Sequence, residues 1–153
     1  MLNRFIMIKT DYIFKYIYII SLIVFVFYSC NQNSLSLKER DRFKTSIYHN
    51  DKNYINYILL KKIDLNNEKC FGYLPIDIAV ISNNIETVKL FLKHGAKINQ
   101  RDLLTNSTCI YDSRSIEMTR FLIDNGAEIN LQNHQGYTPL HNFVGRNLDI
   151  MKL

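Results

Sequence analysis

The stretch Gly72-Tyr73-Leu74-Pro75-Ile76-Asp77-Ile78-Ala79-Val80-Ile81-Ser82-Asn83-Asn84-Ile85-Glu86-Thr87-Val88-Lys89-Leu90-Phe91-Leu92-Lys93-His94-Gly95-Ala96-Lys97-Ile98-Asn99 reads as two short helices closed by a glycine. Pro75 suits a first helical position, because its backbone angle is already helical and its missing N–H is not needed there. Ile76, Ile78 and Ala79 supply the apolar positions of that helix. After the polar break Ser82-Asn83-Asn84, the residues Ile85, Val88, Phe91 and Leu92 recur at three- and four-residue spacing, which predicts a second helix. Gly95 can take the left-handed conformation that stops it. A helix pair of this size cannot bury its own apolar faces and has to stack on similar units.

Similar units are present. Ile116 to Asn130 repeats Ile85 to Asn99 at a distance of 31 residues, and Gly136-Tyr137-Thr138-Pro139-Leu140-His141 replays the opening at Gly72. Leu148 to Leu153 then begins another second helix. Upstream, Ile55, Ile58, Leu59 and Leu65-Asn66 fall 33 residues before Val88, Phe91, Leu92 and Ile98-Asn99. That spacing predicts a second helix over 53–62, preceded by a first helix over 42–49. Lys62 stands where Gly95 stands later, so the end of that helix is expected to be less well defined. In the middle unit, Thr105 to Asp112 takes the place of Gly136 to Phe143. Its first helix is expected to be intact but short, with Ser107 as its cap and Cys109 in the place of Leu140.

The opening Thr138-Pro139-Leu140-His141 and the closes Gly95-Ala96-Lys97-Ile98-Asn99 and Gly126-Ala127-Glu128-Ile129-Asn130 resemble the ankyrin repeat. The resemblance covers roughly Asn50 to Leu153. It implies an all-α fold, a solenoid of paired antiparallel helices with short hairpin loops, divided at about 42–66, 67–99, 100–130 and an incomplete 131–153. It further implies a protein–protein interaction module whose partners lie across the hairpin tips and first helices on the concave side. Carried onto this chain, the partner-binding candidates are Phe71 and Tyr73, then Leu103, Leu104 and Asn106, then His134, Gln135 and Tyr137, with Cys70 beside them in an exposed hairpin. Aromatic and leucine side chains there would bury large apolar area, which suits a protein surface better than a sugar or a nucleic acid. The resemblance gives His141 a structural role joining backbone groups of neighbouring repeats. Asp77 replaces that histidine in the earlier repeat and is expected to accept a local hydrogen bond.

The formal net charge is +5. Arg4, Lys9 and Lys15 precede Cys30, which leaves 16 basic against 13 acidic side chains after it. Lys38, Arg40, Arg42 and Lys44 alternate with Glu39 and Asp41, as in a solvated linker and unlike a phosphate-binding face. No nucleic-acid partner is expected. His49, His94, His134 and His141 have no short spacing to Cys, Asp or Glu that resembles a metal site. With no nucleophile elbow, Gly-rich phosphate loop or paired carboxylates, the chain is expected to be no enzyme and to take no metal, cofactor or small-molecule substrate.

The first 29 residues are of another kind. A basic flank leads into the uncharged, mostly apolar run Ile17 to Tyr28, which ends at Ser29-Cys30. A run this short falls below the roughly 20 residues needed to span a bilayer and suits a signal-peptide core. The flank, the core, Ser29 and Cys30 resemble a bacterial lipoprotein signal. The resemblance implies cleavage after residue 29, lipid on Cys30, and a membrane-tethered protein of the bacterial cell envelope facing away from the cytoplasm. Two alternatives stay open: an uncleaved anchor over Tyr12 to Tyr28, and secretion without lipid. Met7 is an alternative start. Residues 30–41 are expected to be a lipid-attached linker.

Cys70 and Cys109 are expected to remain free thiols, since adjacent repeats would hold them beyond the roughly 7 Å limit for a bridge. A structural fragment of a longer repeat protein, without a partner of its own, is the competing functional reading. The chain stops at Leu153 inside an expected helix and would leave Ile150, Met151 and Leu153 on an uncapped apolar end.

Overall fold

The structure is a computed structural model that describes residues 15–24, 34–102 and 104–144. Ser29, Cys30, Leu103 and the helix expected from Leu148 lie outside the described residues. The chain forms two compact units, Met1–Ser34 and Leu35–Leu153. In the first, residues 15–24 are helical and expose Tyr16, Ile17, Ile20 and Leu22. Among the described residues, no helix is long and apolar enough to cross a membrane.

The second unit is all helical among its described residues. Its elements are α1 (Leu37–Tyr48), α2 (Lys52–Leu60), α3 (Pro75–Ile81), α4 (Ile85–Lys93), a 3-10 turn (Cys109–Asp112), α5 (Ile116–Asp124) and α6 (Pro139–Val144). The first helices α1 and α3, the 3-10 turn and α6 pack in succession, each against the next.

The last residues of the expected linker belong to the fold, because α1 begins at Leu37 and not at Arg42. Ser36 and Glu39 explain the earlier start. The Glu39 N–H donates to the Ser36 hydroxyl at 3.4 Å and the Glu39 carboxylate accepts the Ser36 N–H at 3.0 Å, a reciprocal cap that satisfies two amides at the helix start. Leu35 is buried, and its N–H donates to the Glu68 carboxylate at 3.2 Å. Arg40 pairs with the same buried carboxylate at 2.6 Å, and Glu39 pairs with Lys61 at the end of α2. The alternating charges thus include two tertiary ion pairs.

The core follows the predicted periodicity. Val88, Phe91, Met118 and Leu122 are fully buried, while Leu92, Ile98 and Phe121 pack against the core half-buried. Gly95 and Gly126 each end their helix at φ +88°. Lys62 adopts φ +54°, and its N–H donates to Leu59 at 3.0 Å much as Gly95 donates to Leu92 at 3.1 Å. The close of α2 nevertheless lacks the longer bond that the Ala96 N–H makes to Phe91 and the Ala127 N–H to Leu122, and its lysine bears the roughly 1–2 kcal/mol that a Cβ costs there, so it is the less fully built of the three, as expected.

The middle repeat departs from expectation in register. The Asp102 N–H donates across its hairpin to Ser107, whereas the Asn133 N–H donates to Tyr137, so the middle hairpin is one residue longer. Thr108, not Ser107, consequently precedes the helical turn, and Cys109 takes the place of Pro139 instead of Leu140. With α5 starting at Ile116, only the four-residue 3-10 turn fits in the space of a first helix. Neither Ser107 nor Thr108 caps it, and Thr108 makes no side-chain cap bond.

Cys70 is fully buried, not exposed, because it forms the base of its hairpin and not the tip, pairing N–H to C=O with Tyr73 at 2.9 Å. Both described cysteines are free. Burial pushes the Cys70 thiol up to about 12 and pushes Cys109 higher still, so neither offers a thiolate at neutral pH.

Two asparagines tie successive repeats. Asn66 donates to the Gly95 carbonyl at 3.0 Å and accepts the Lys97 N–H at 2.7 Å. Asn99 donates to the Gly126 carbonyl and accepts the Glu128 N–H, both at 2.9 Å. Asn99→Ala is expected to cost about 0.5–1.5 kcal/mol, since two exposed bonds are exchanged for water. Urea unfolding checks this, and an unchanged midpoint would show that the bridge contributes nothing.

Candidate partner-binding groove

Three hairpin tips and the first turns behind them enclose a groove of about 910 Å³. The first tip is a two-residue turn between Cys70 and Tyr73 with Phe71 at φ +56° and Gly72 at φ +92°, both central residues left-handed as such a hairpin demands. A phenylalanine is unusual there, and its ring is exposed. The ammonium of Lys44 on α1 lies 5.2 Å from the Phe71 ring centroid, a cation–π contact.

Carboxylate and amide side chains build the next two tips. Asp102 accepts the N–H groups of Leu104 at 2.7 Å, Thr105 at 2.8 Å and Ser107 at 3.1 Å, together with the Thr105 hydroxyl. Partial burial alone would raise its carboxyl, but these bonds hold it below the usual range. Asn133 plays the same part in the third tip, accepting from Gln135 and Tyr137 at 3.0 Å each. The hairpins are joined by the His134 N–H, which donates to Thr105 at 2.9 Å, and by Arg101, which donates to Asn106 at 3.0 Å and to Gln132 at 2.8 Å.

Of the residues expected to meet a partner, Phe71, Tyr73, Leu104, His134, Gln135 and Tyr137 line this one groove. Asn106 does not; it sits at φ +60° in the second tip with its carbonyl held by Arg101. Leu104 is strongly exposed and lies where a Cβ on Gly72 would meet it at 3.5 Å, so the first two tips touch.

The floor was not read from the sequence. It consists of Asp77 on α3, Thr108, Tyr111 and Asp112 around the 3-10 turn, and His141 and Asn142 on α6. Asp77 accepts the Leu74 N–H at 3.0 Å, the local bond expected of it. Burial pushes its carboxyl up to about 7; that bond opposes the rise, and Asp112 and Asp102 add to it. His141 accepts from the Thr138 N–H at 3.2 Å and pairs with the Thr138 hydroxyl at 2.8 Å, both within its own repeat. Among the described residues, Tyr111 makes a link between repeats. Its hydroxyl lies 2.5 Å from the carbonyls of Leu131 and Tyr137, and Asn142 donates to the Tyr111 carbonyl at 2.7 Å. The one-residue register shift brings Tyr111 to the position that His141 holds in the next repeat. Among the described residues, no three His, Cys, Asp or Glu side chains are grouped to hold a metal ion.

A family model described as ankyrin repeats in three copies matches residues 15–102, and one described as ankyrin repeats in many copies matches 107–150. The first match begins inside the segment expected to be a signal peptide. The chain is similar to the ankyrin repeat protein FPV031 of fowlpox virus, at 33% identity over 73% of this chain and 36% of the relative. It is similar to FPV034 of the same virus at 25% identity over 76% of this chain and 28% of the relative. It also resembles protein phosphatase 1 regulatory subunit 27 of the mouse, at 35% identity over 54% of this chain and 55% of the relative. The chain thus spans about a third of the length of the viral proteins and about half of the mouse protein.

Proposed function

Because the chain belongs to the ankyrin repeat family, whose members mediate protein–protein interaction, we propose that it binds a protein partner in the groove of the three hairpin tips and performs no chemistry of its own. The observation that carries this reading is the convergence of exposed Phe71, Tyr73 and Tyr137 on one concave surface. Rigid aromatic rings give large contact area at low entropic cost, and they dominate interface energies. The left-handed Phe71 points the same way, since an exposed bulky residue kept at a costly backbone angle is better explained by a contact than by folding. The mouse relative, by its name a regulatory subunit, is in keeping with a role exercised through a partner.

A photo-crosslinking residue at position 135, on the same hairpin tip as Tyr137, tests this reading. It is expected to capture a partner whose yield falls about tenfold or more in the Tyr73→Ala/Tyr137→Ala variant, while stability changes by about 0.5 kcal/mol or less. An absence of capture would leave the fragment reading ahead, and undiminished capture in that variant would move the contact off the aromatic rim.

Membrane attachment is the second element of the proposal. It is supported by the apolar run Ile17 to Tyr28 after a basic flank, with Cys30 as the lipid-bearing residue. The similar proteins come from a poxvirus and eukaryotes, so the attachment is not tied to a bacterial envelope, and the uncleaved segment remains its alternative form. The mass of the mature amino terminus separates the two. A chain that retains residues 1–29 and partitions into water would overturn both.

A further inference from the structure

The groove has a charge character that apolar contact alone does not use. Asp77, Asp102 and Asp112 line it, and among the described residues no lysine or arginine does, although the chain as a whole carries a formal charge of +5. Asp77 is 5% exposed; it accepts a hydrogen bond from the Leu74 N–H, and it forms no ion pair among the described residues. Beside it stands a second unmet demand. Thr108 lines the same groove at 2% exposure, and its hydroxyl has no hydrogen-bond partner. Its counterpart Thr138 reaches His141, whereas in the middle repeat Tyr111 holds that place and turns its own hydroxyl to the next repeat.

A buried carboxylate and an orphaned hydroxyl are both relieved by one incoming donor with a positive charge. Aromatic walls favour the same visitor, because ring faces attract cations, as Lys44 already shows at Phe71, and the half-exposed ring of Tyr73 is open to a similar contact. A bare metal ion is a poor fit, since the described carboxylates are not grouped as ligands.

Resting on the partner-binding reading above, we propose that the groove recognises a lysine or arginine side chain carried on a loop of the partner protein, its charge set against Asp77 and its donors reaching the Thr108 hydroxyl. Asp102 contributes its field and not a direct bond, since its lone pairs are taken by the turn. The aromatic rings at the rim flank the aliphatic stem of the guest.

The test is an NMR titration of the full chain at about pH 8, where Asp77 is ionised, with three blocked peptides, Gly-Arg-Gly, Gly-Lys-Gly and Gly-Glu-Gly. The arginine or lysine peptide is expected to shift the amides of Tyr73, Thr108 and Tyr137 and to saturate in the millimolar range, while the glutamate peptide leaves them in place. Asp77→Asn keeps the acceptor for Leu74 and so the fold, and is expected to weaken the cationic peptide about fourfold, the effect of one unit charge at contact range in a wet groove. Equal shifts from all three peptides, an absence of shifts from the cationic ones, or an unchanged affinity in Asp77→Asn would overturn the proposal. Its failure is separable from that of the binding reading: a crosslinked partner that needs Tyr73 and Tyr137 but ignores Asp77→Asn would leave a binding module with another specificity.

Discussion

Phe91→Ala is expected to lower the stability of the repeat unit by about 3–5 kcal/mol, a large fraction of the roughly 5–15 kcal/mol that holds a domain together. Phe91 is fully buried in α4, and its ring meets Phe43 of α1 edge to face, with centroids 6.0 Å apart at 63°. Removing it loses the transfer energy of the ring and leaves a cavity between the first repeat and the second, where neighbouring Ile58 and Ile78 are themselves fully buried. Leu92→Ala is the control. Sequence periodicity alone gave Leu92 the same weight, yet it is half-buried, so its loss should cost about half as much or less. Urea unfolding at unchanged slope decides, and equal costs would mean that the repeat interface is not where Phe91 places it.

Asp77→Asn is expected to act in the opposite direction and to depend on pH. The folded protein holds the Asp77 proton up to about pH 7, mainly because the group is buried, against the ordinary carboxyl value of 3.8 in the unfolded chain. Between those values the folded state binds the proton that the unfolded state has released, so stability falls as pH rises. The favourable contribution is fully present below about pH 4 and gone above about pH 7, a span worth on the order of 2–4 kcal/mol at about 1.4 kcal/mol per unit. Asparagine keeps an acceptor for the Leu74 N–H and never ionises. The variant should therefore be more stable than the parent at about pH 8 by that amount and closely matched at about pH 4. Parallel profiles offset by a constant would refute the assignment. A carboxylate that costs stability at neutral pH is the pattern of a group retained for what it contacts, which is the part given to it in the groove.

Much of the fold was legible because the apolar period was strong. Pro75, Ile85, Gly95, Ile116 and Gly126 placed one first helix, two second helices and their closes correctly, since a helix pair is a local object whose start and stop signals lie within its own residues. The errors arose where a contact to a distant residue decided the outcome. Glu39 and Arg40 looked like solvated charges until Lys61 and Glu68 were beside them. The middle repeat was placed one residue out because spacing reports only the net shortening, not the longer hairpin that offsets part of it. Asp102 held the missed signal, standing at the same step as Asn133 and gathering the same amides. Six of the residues expected from the hairpin pattern lie together at the rim of the groove. Its floor was not, because stacking alone brings Asp77, Thr108 and Tyr111 to one surface.

The asparagine bridges bear on how such a chain changes by inheritance. Asn66 and Asn99 each present one donor and one acceptor to the backbone at and just after the next unit's glycine; Asn99 also reaches the Glu128 carboxylate at 3.3 Å, so the main-chain bonds are what the two joints share. The joint is indifferent to which copy occupies the neighbouring place. A duplication or loss of one whole unit keeps every joint intact, whereas a shift of a single codon triplet within a unit displaces the asparagine from its two partners. Growth and shrinkage by whole units is the tolerated path, while rim residues such as Phe71 and Tyr137 can vary without disturbing these joints.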